Sequence, residues 1–381
     1  MTDREKLMIP GPVEVAPQVL SEMASPMMAH YGEEWVEIYR ETVELAKRVF
    51  QTKKGDLFLI PGSGSAGLDA ALGSTLDKDK SLLVPINGWF GKRLRNIGQT
   101  HTSDVSTLKF DPGEAVDPNR LDDFLKNHRE IDVVAVTHCE TSNGIANPLK
   151  EIGEVCRDHS TLLVADAVSS LGGMDLKMDD WDVGICVTAS QKAVAAPPGL
   201  ALVGVGSKAW NFIDSADDCG WYLNLKTWRR YAKDWGDWHP YPITMAVNNV
   251  LALRRSLRDV LDEGLKERFR RHEKITRLLR TGLRNMRFDL FVEDHICSHT
   301  VTSVMSDSRI SVDRLRDYLE KECAIKIAGG LGEVEGEIFR IGHMGPSANW
   351  DSVLPLLYGI ETALREVGVS IPKGQFLREN A

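Results

Sequence analysis

The sequence predicts an α/β fold in which helices pack against a mostly parallel sheet. Short apolar runs of strand length alternate with longer segments whose apolar residues recur at helical spacing. One strand, at 56–60, runs directly into a glycine-rich turn and a helix. Polar side chains follow other strands, at 138–144 and at Asp166. Because ligands of open parallel sheets bind beyond the carboxyl ends of the strands, these segments predict a binding cleft.

The composition is that of a globular chain long enough for two domains, with 381 residues, 43% hydrophobic and 27% charged. A formal net charge of −9 argues against nucleic acid or an anionic membrane as a partner. No apolar run is long enough to cross a bilayer, and the first residues lack a signal-peptide pattern, so we expect a cytoplasmic protein. The six cysteines are scattered, so we expect reduced thiols and no metal site.

The turn at 61–67 reads Pro-Gly-Ser-Gly-Ser-Ala-Gly and precedes a predicted helix at 68–76. A turn of this kind binds anions, because free backbone N–H groups and the helix dipole point at the same place. The turn also matches the dinucleotide motif G-x-G-x-x-G, which requires an acidic residue at the end of the second strand. Here the strand at 81–86 ends in Asn87 and Gly88. A phosphate ligand other than a dinucleotide is therefore favoured, and a nicotinamide-binding protein is the weaker alternative.

A single lysine, Lys192, lies in the small-residue segment 184–199, between predicted strands at 183–188 and 200–205. A lysine held in such a pocket tends to lose its proton, and its neutral amine can attack a carbonyl. Asp166 follows the strand at 161–165, and Glu140 and Thr141 follow the strand at 131–138. A phosphate turn, a strand-end aspartate and a lysine are the three contacts that pyridoxal phosphate needs. The sequence therefore predicts this cofactor.

Widely spaced motifs extend this prediction along most of the chain. They read P-G-P (10–12), P-G-S-G-S-A-G (61–67), N-G-W-F-G-K-R (87–93), T-H-C-E-T-S-N-G (137–144), D-A-V-S-S-L-G-G (166–173), S-Q-K-A-V-A-A-P-P-G (190–199) and F-R-I-G-H-M-G (339–345). In this order they resemble the class V aminotransferases of fold type I, especially the alanine–glyoxylate and serine–glyoxylate (serine–pyruvate) branch. The resemblance implies an N-terminal arm at 1–20, a large cofactor-binding domain at 21–250 and a smaller α+β domain at 251–381.

The resemblance also assigns roles to individual residues. Lys192 corresponds to the lysine that forms a Schiff base with the cofactor, and Asp166 to the partner of the pyridine nitrogen. The other cofactor contacts that it implies are Ser63, Gly64 and Ser65 for the phosphate, Phe90 and Val168 for the two ring faces, and Thr141 and Gln191 near the ring hydroxyl or phosphate. Tyr241 and Thr244 are expected to reach the partner's phosphate across a homodimer. Arg340 is expected to bind the substrate α-carboxylate, with Gly11 and Tyr31 beside it.

These likenesses imply a ping-pong transfer of the amino group from a small L-amino acid, alanine or serine, to a 2-oxo acid, glyoxylate or pyruvate. Phe90 and Ser65 stand where well-known alanine–glyoxylate members carry tryptophan and histidine. The run at 340–347 and Tyr31 are similar to pyridoxamine–pyruvate aminotransferase, but the second arginine of that enzyme is missing from 328–332. Ureidoglycine–glyoxylate aminotransferase and a lyase reaction stay open. Cysteine desulfurases usually carry histidine where this chain has Gln191, so that activity is a weak alternative.

Two further segments carry structural predictions. Five of the nine tryptophans lie at 210–238, where an aromatic cluster suits either a subunit contact or internal packing. A continuous helical pattern runs from 244 to about 286.

Overall fold

The computed structural model describes residues 5–217 and 219–378. Its centre is a seven-stranded sheet whose strands lie, from one edge to the other, in the order Asp56–Pro61, Leu200–Val205, Ile185–Ala189, Leu162–Asp166, Val133–Thr137, Leu82–Ile86 and Val105–Lys109. Leu200–Val205 runs antiparallel to both of its neighbours, and the other neighbouring pairs of this sheet are parallel. Its central strands are buried along their whole length, which explains their near-continuous apolar sequence. The α/β prediction is confirmed.

Helices surround this sheet and share its hydrophobic core. They span Pro17–Met23, Glu33–Phe50, Gly64–Gly73, Trp89–Gly98, Pro118–Asn127, Leu149–Asp158, Ala209–Ser215, Leu225–Asp234 and Val247–Glu263. Two-residue strands Cys139–Glu140 and Ile145–Ala146 form a short hairpin beside the sheet. The last of these helices places Val250 and Leu257 in the same core as the sheet strands.

The C-terminal part of the chain builds a second core. Its helices are Leu265–Asn285, Val312–Cys323 and Trp350–Glu366, and its antiparallel sheet has the order Val301–Met305, Ile338–Gly342, Ala328–Gly329. Lys6–Leu7 pairs with Ile325–Lys326, so the N-terminal segment lies against this part. Short 3-10 helices span Asp294–Ile296, Gly332–Val334, Gly345–Ser347 and Gln375–Leu377. The division into 1–20, 21–250 and 251–381 stays a prediction, and residues 1–4 and 379–381 of it lie outside the described residues.

Two helix predictions were wrong in detail. The helix expected at 68–76 begins earlier, at Gly64, so the glycine-rich turn itself forms the first helical turn. The helix expected from 244 to about 286 is two helices, which are separated at Gly264. Gly264 has a φ of +82°, which ends a helix and which glycine adopts without steric cost. Along the described ranges, no helix combines the length and the apolar character needed to cross a membrane.

Candidate active site

A cleft of about 570 Å³ lies beyond the carboxyl ends of the central strands. Phe90, Thr141 and Lys192 line it from the large sheet and its connections, and Arg340 lines it from the small sheet. The N-terminal segment closes one side through Gly11. The structure thus brings together five residues that the sequence had assigned to one site.

Lys192 lies in the turn after the strand Ile185–Ala189, with its side chain directed at the N-terminal segment. Its Nζ donates a hydrogen bond to the backbone oxygen of Pro10 at 2.5 Å. Burial lowers the pKa of Lys192 to about 8, although Cys139 and Asp166 act in the opposite direction. At pH 7 roughly a tenth of this amine therefore lacks its proton, far more than for an ordinary lysine, and can act as a nucleophile or base.

Asp166 is the last residue of the strand Leu162–Asp166 and is almost fully buried. Its Oδ1 accepts a hydrogen bond from the backbone N–H of Val168 at 3.0 Å. The pKa of Asp166 is raised to about 6, mainly by burial and also by Glu140, while the hydrogen bond from Val168 and the charge of Lys192 oppose the rise. The carboxyl group is therefore mostly ionised at neutral pH, as a partner for a protonated ring nitrogen must be.

The glycine-rich turn lies next to Val168. A Cβ atom added at Gly64 would stand 2.8 Å from Cγ2 of Val168, so only glycine permits this approach. Ser63 occupies the N-cap position without a side-chain capping bond, and the first amides of a helix have no partner within it. With Ser65 at the second helical position, this turn presents free N–H and hydroxyl donors to an anion.

Gln191 carries a buried polar atom without a partner among the described residues. Its Oε1 is buried and has no hydrogen-bond partner within the described ranges. Buried polar side-chain atoms are normally satisfied, and the oxygen and nitrogen of an amide can exchange places by a flip. A polar group bound beside Gln191 would supply the partner.

Glu140 organises the side of the cleft that carries Phe90. This fully buried carboxylate accepts hydrogen bonds from the backbone N–H groups of Phe90 at 3.1 Å, Gly91 at 3.0 Å and Ser142 at 3.1 Å. It therefore holds the beginning of the helix Trp89–Gly98. Burial raises the pKa of Glu140, and the hydrogen bonds from Ser142, Gly91 and Phe90 oppose that rise. Sequence reasoning placed Glu140 near the cleft but missed this role.

Other contacts were also missed from the sequence. Thr141 donates its hydroxyl to Oγ of Ser169 at 2.7 Å, which links two strand ends. The Arg93 guanidinium lies 4.7 Å from the centre of the Phe90 ring. Arg93 follows Phe90 by one helical turn, so a helix prediction at 89–98 would have suggested this contact.

Arg340 lies in the middle of the strand Ile338–Gly342 and is 9% exposed. Its Nε donates to the backbone oxygen of Gly329 at 2.8 Å, and its Nη1 donates to that of Thr141 at 2.9 Å. Burial lowers the pKa of Arg340 to about 10, so the group stays protonated at neutral pH. Across the described ranges no carboxylate forms an ion pair with Arg340, and further N–H donors remain for a ligand.

Three predicted site residues lie elsewhere. Tyr241 is fully buried in its own chain, where its hydroxyl accepts from Nε1 of Trp35 and donates to the backbone oxygen of His30. These partners lie within its own chain, and the expected role of Tyr241 across a homodimer stays a prediction. Tyr31 is 53% exposed beside Trp238, and Thr244 is exposed; neither lines the cleft, and their roles stay predictions.

A second cavity, of about 550 Å³, lies at the amino ends of the central strands Leu162–Asp166 and Ile185–Ala189, opposite the first cleft. Of its cations Lys54, Arg157 and Lys208, the last two pair with Asp182, at 3.1 and 3.0 Å. Neither Lys192 nor Arg340 lines this cavity, so it does not compete with the first as the reactive site.

The family model for class V aminotransferases matches residues 15–335. The chain belongs to the class V aminotransferases. Members of this family depend on pyridoxal phosphate, and the chain has their fold type I architecture. The protein is therefore an aminotransferase.

Its relatives differ in the activity for which they are named. An uncharacterized aminotransferase of Methanocaldococcus jannaschii is 39% identical over 97% of this chain and 94% of its own. The (S)-ureidoglycine–glyoxylate transaminase of Bacillus subtilis is 32% identical over 99% of this chain and 94% of its own. The crystal structure of the Bacillus subtilis ureidoglycine–glyoxylate aminotransferase has a TM-score of 0.94, with 99% and 97% of the two chains covered. An alanine–glyoxylate aminotransferase of Felis catus is 32% identical over 94% of this chain and 87% of its own.

Proposed function

We propose that this aminotransferase moves the amino group of a small L-amino acid, alanine or serine, to glyoxylate or pyruvate, with pyridoxal phosphate held in the cleft. One observation carries the proposal: an amine with a pKa lowered to about 8, Lys192, shares a cleft with the free guanidinium donors of Arg340. A site for an amino acid substrate needs two groups, a reactive amine and a group that binds the substrate carboxylate.

Residues that line the cleft, together with residues beside it, fit the cofactor. The glycine-rich turn would hold the phosphate through the amides near Gly64, and Asp166 would keep the pyridine nitrogen protonated. Val168 and Phe90 would contact the ring, and the unpaired oxygen or nitrogen of Gln191 would gain a polar partner. Bound pyridoxal phosphate supplies an electron sink for the negative charge that forms when the Cα proton leaves.

The protein's own groups then bind, orient and move protons. Arg340 would hold the substrate carboxylate with the donors that its two backbone bonds leave free. This would fix the position of Cα relative to Lys192, whose neutral Nζ would accept the Cα proton and pass it on to the aldehyde carbon of the cofactor. The hydrogen bond from Lys192 to the Pro10 carbonyl keeps the free amine within the cleft before the cofactor binds.

The relatives support glyoxylate as an acceptor and give two candidate donors. The name of the Felis catus relative supports alanine, and that of the Bacillus subtilis relative makes (S)-ureidoglycine a second candidate. We further propose a cytoplasmic homodimer whose interface includes the exposed aromatic side chains Trp221, Trp235 and Trp238. Sedimentation of the wild type and of Trp221→Ala would test this interface.

The experiment is an absorption titration of the cofactor-loaded protein. L-Alanine alone should convert the cofactor spectrum to that of pyridoxamine phosphate, and glyoxylate alone should then restore it. The same pair of additions to Lys192→Ala should produce no turnover, because the proton-transferring amine is absent. If alanine and serine leave the wild-type spectrum unchanged while (S)-ureidoglycine converts it, the small-donor proposal is wrong and the second candidate replaces it.

A further inference from the structure

Four polar side chains lie around the break between the two long helices at Gly264: Glu263, Arg268, Arg271 and His272. None of the roles described above uses them. Nη1 of Arg268 lies 2.7 Å from one carboxylate oxygen of Glu263, and Nε of Arg271 lies 2.6 Å from the other. The Arg268 side chain is 7% exposed, so water screens its charge much less than that of a surface arginine. One carboxylate therefore holds two guanidinium groups.

Arg268 binds the turn that carries the reactive lysine. Its Nη2 donates to the backbone oxygen of Ala193, the residue after Lys192, at 2.7 Å. Its Nε donates to the backbone oxygen of Gly172 at 2.7 Å, and Nη1 donates to Glu263. All three guanidinium nitrogens thus have an acceptor, which fixes the orientation of the planar group. The ion pair with Glu263 anchors an arginine whose other two bonds hold backbone.

The turn after Lys192 needs such support because its backbone is strained. Ala195 has a φ of +63°, in the left-handed region that residues with a Cβ atom rarely adopt. A conformation of this kind persists only where the surrounding contacts hold it. Arg268 binds one carbonyl of the turn, and the Ser256 hydroxyl donates to the next, that of Val194. Without these bonds the turn would relax and carry the lysine with it.

The other members of the group hold the segment that follows the strand of Arg340. Nη1 of Arg271 donates to the backbone oxygen of Gly345 at 3.0 Å, and the N–H of Gly345 donates to Nε2 of His272 at 3.0 Å. A Cβ atom added at Gly345 would stand 3.0 Å from Cβ of Ala195. The two segments therefore meet directly beside the start of this helix.

We propose that Arg268 is a positioning residue for amino transfer: anchored by Glu263, it fixes the turn of Lys192 and thereby the place of the amine in the cleft. The inference rests on the proposed function, because it takes Lys192 as the group that moves the Cα proton. Arg268 does not line the cleft, so it acts through the lysine and not on the substrate. Proton transfer is sensitive to small displacements of the groups involved, which makes the position of this turn matter for the rate.

Arg268→Lys tests the inference, because it keeps the charge beside Glu263 but loses the fork that reaches two carbonyls. The rate at which saturating L-alanine converts the cofactor spectrum should fall about tenfold, while the alanine concentration for half-maximal rate stays unchanged. With deuterium at Cα of alanine, the isotope effect should be at least as large as in the wild type, because proton transfer is the step that slows. Arg270→Lys is the matched control, since its side chain is 69% exposed on the same helix.

Glu263→Gln is the second variant and decides the question alone if Arg268→Lys does not fold. It removes the charge of the anchor while nearly keeping its shape, and it should slow the same step. In the double variant the two effects should not add, because both act on one turn. A rate within twofold of the wild type in each folded variant, or a slower rate whose isotope effect falls to one, would overturn the inference.

Uptake of pyridoxal phosphate by the cofactor-free protein separates this inference from the proposed function. In that reaction Nζ of Lys192 attacks the aldehyde carbon, a C=N bond forms and water leaves, and no amino acid takes part. Borohydride fixation at one pH should show loading about fivefold slower in Arg268→Lys and Glu263→Gln than in Arg270→Lys, because the amine is less often in the required position. If neither alanine nor serine converts the wild-type cofactor, the proposed function fails. The loading rates still decide the role of Arg268 in that case, and equal rates in all three variants would overturn it.

Discussion

Gly11 lies directly against the reactive end of Lys192: a Cβ atom added at Gly11 would stand 2.5 Å from Nζ and 2.6 Å from Cδ of that lysine. Gly11 also has a φ of +113°, in the region that favours glycine. Gly11→Ala should therefore displace the amine and lower kcat by about a hundredfold or more, because proton transfer depends on its position. Steady-state kinetics and the midpoint of thermal unfolding would measure the two effects.

Gly368→Ala separates backbone strain from displacement of the lysine. Gly368 has a φ of +87°, and a Cβ atom there would meet nothing within 4 Å. We expect both variants to lose about 1–2 kcal/mol of stability from strain, but only Gly11→Ala to lose activity. Full activity in Gly11→Ala would show that the cleft accommodates the methyl group without moving Lys192.

The lowered pKa of Lys192 predicts how the cofactor-free protein takes up pyridoxal phosphate. Burial lowers this pKa from 10.5 to about 8, and only the neutral amine reacts. Below about pH 8 the loading rate should rise about tenfold per pH unit, and above it the rate should level off. Borohydride fixation at timed intervals would count the loaded lysine, and free N-acetyl-lysine would correct for the cofactor's own titration. A rate that continues to climb beyond pH 9, as for an ordinary lysine, would contradict the lowered pKa.

The sequence was sufficient to predict the sheet and the cleft because both depend on local pattern. Buried strands appear in the sequence as apolar runs. The polar residues Asp166 and Glu140 come at strand ends, on the side of the sheet where the carboxyl ends of its parallel strands lie. Tyr241 shows what pattern cannot supply, since its hydroxyl partners at Trp35 and His30 are about two hundred residues away in sequence.

Arg340 has structural contacts to the backbone and a proposed role in substrate binding, and two substitutions distinguish them. Arg340→Lys keeps a positive charge but loses the forked guanidinium group. That group bonds to the backbone oxygens of Gly329 and Thr141 and would still present N–H donors to the substrate. Arg340→Ala also removes the charge and should weaken binding of carboxylate substrates by about 2–3 kcal/mol. We expect the apparent affinity for alanine to fall in the order wild type, lysine variant, alanine variant, as measured by spectral titration. Pyridoxal phosphate affinity serves as the control, and a loss of the same size there would indicate collapse of the site instead of loss of substrate binding.

Glu140 should prove more important for the shape of the cleft than for its chemistry. Its two carboxylate oxygens accept from the backbone N–H groups of Phe90, Gly91 and Ser142, and the Ser142 hydroxyl adds a fourth donor. Glu140→Gln turns one of these oxygens into an NH₂ group that faces donors, which leaves buried N–H groups unsatisfied. The free energy of unfolding should fall by about 2–3 kcal/mol in denaturant titrations, and cofactor affinity should fall with it because the backbone of Phe90 loses its anchor.

Glu335→Gln makes the same chemical change at an exposed position and should leave stability within about 0.5 kcal/mol of the wild type. If Glu140→Gln were as stable as that control, a neutral acceptor could replace the carboxylate. The free energy cost of burying the carboxylate would then offset the free energy gained from the hydrogen bonds that it receives. A fall in stability at Glu140 alone would show instead that these charge-assisted bonds exceed the cost of desolvation. The helix that carries Phe90 would then depend on an acidic residue fifty positions away in sequence, at the end of a neighbouring strand.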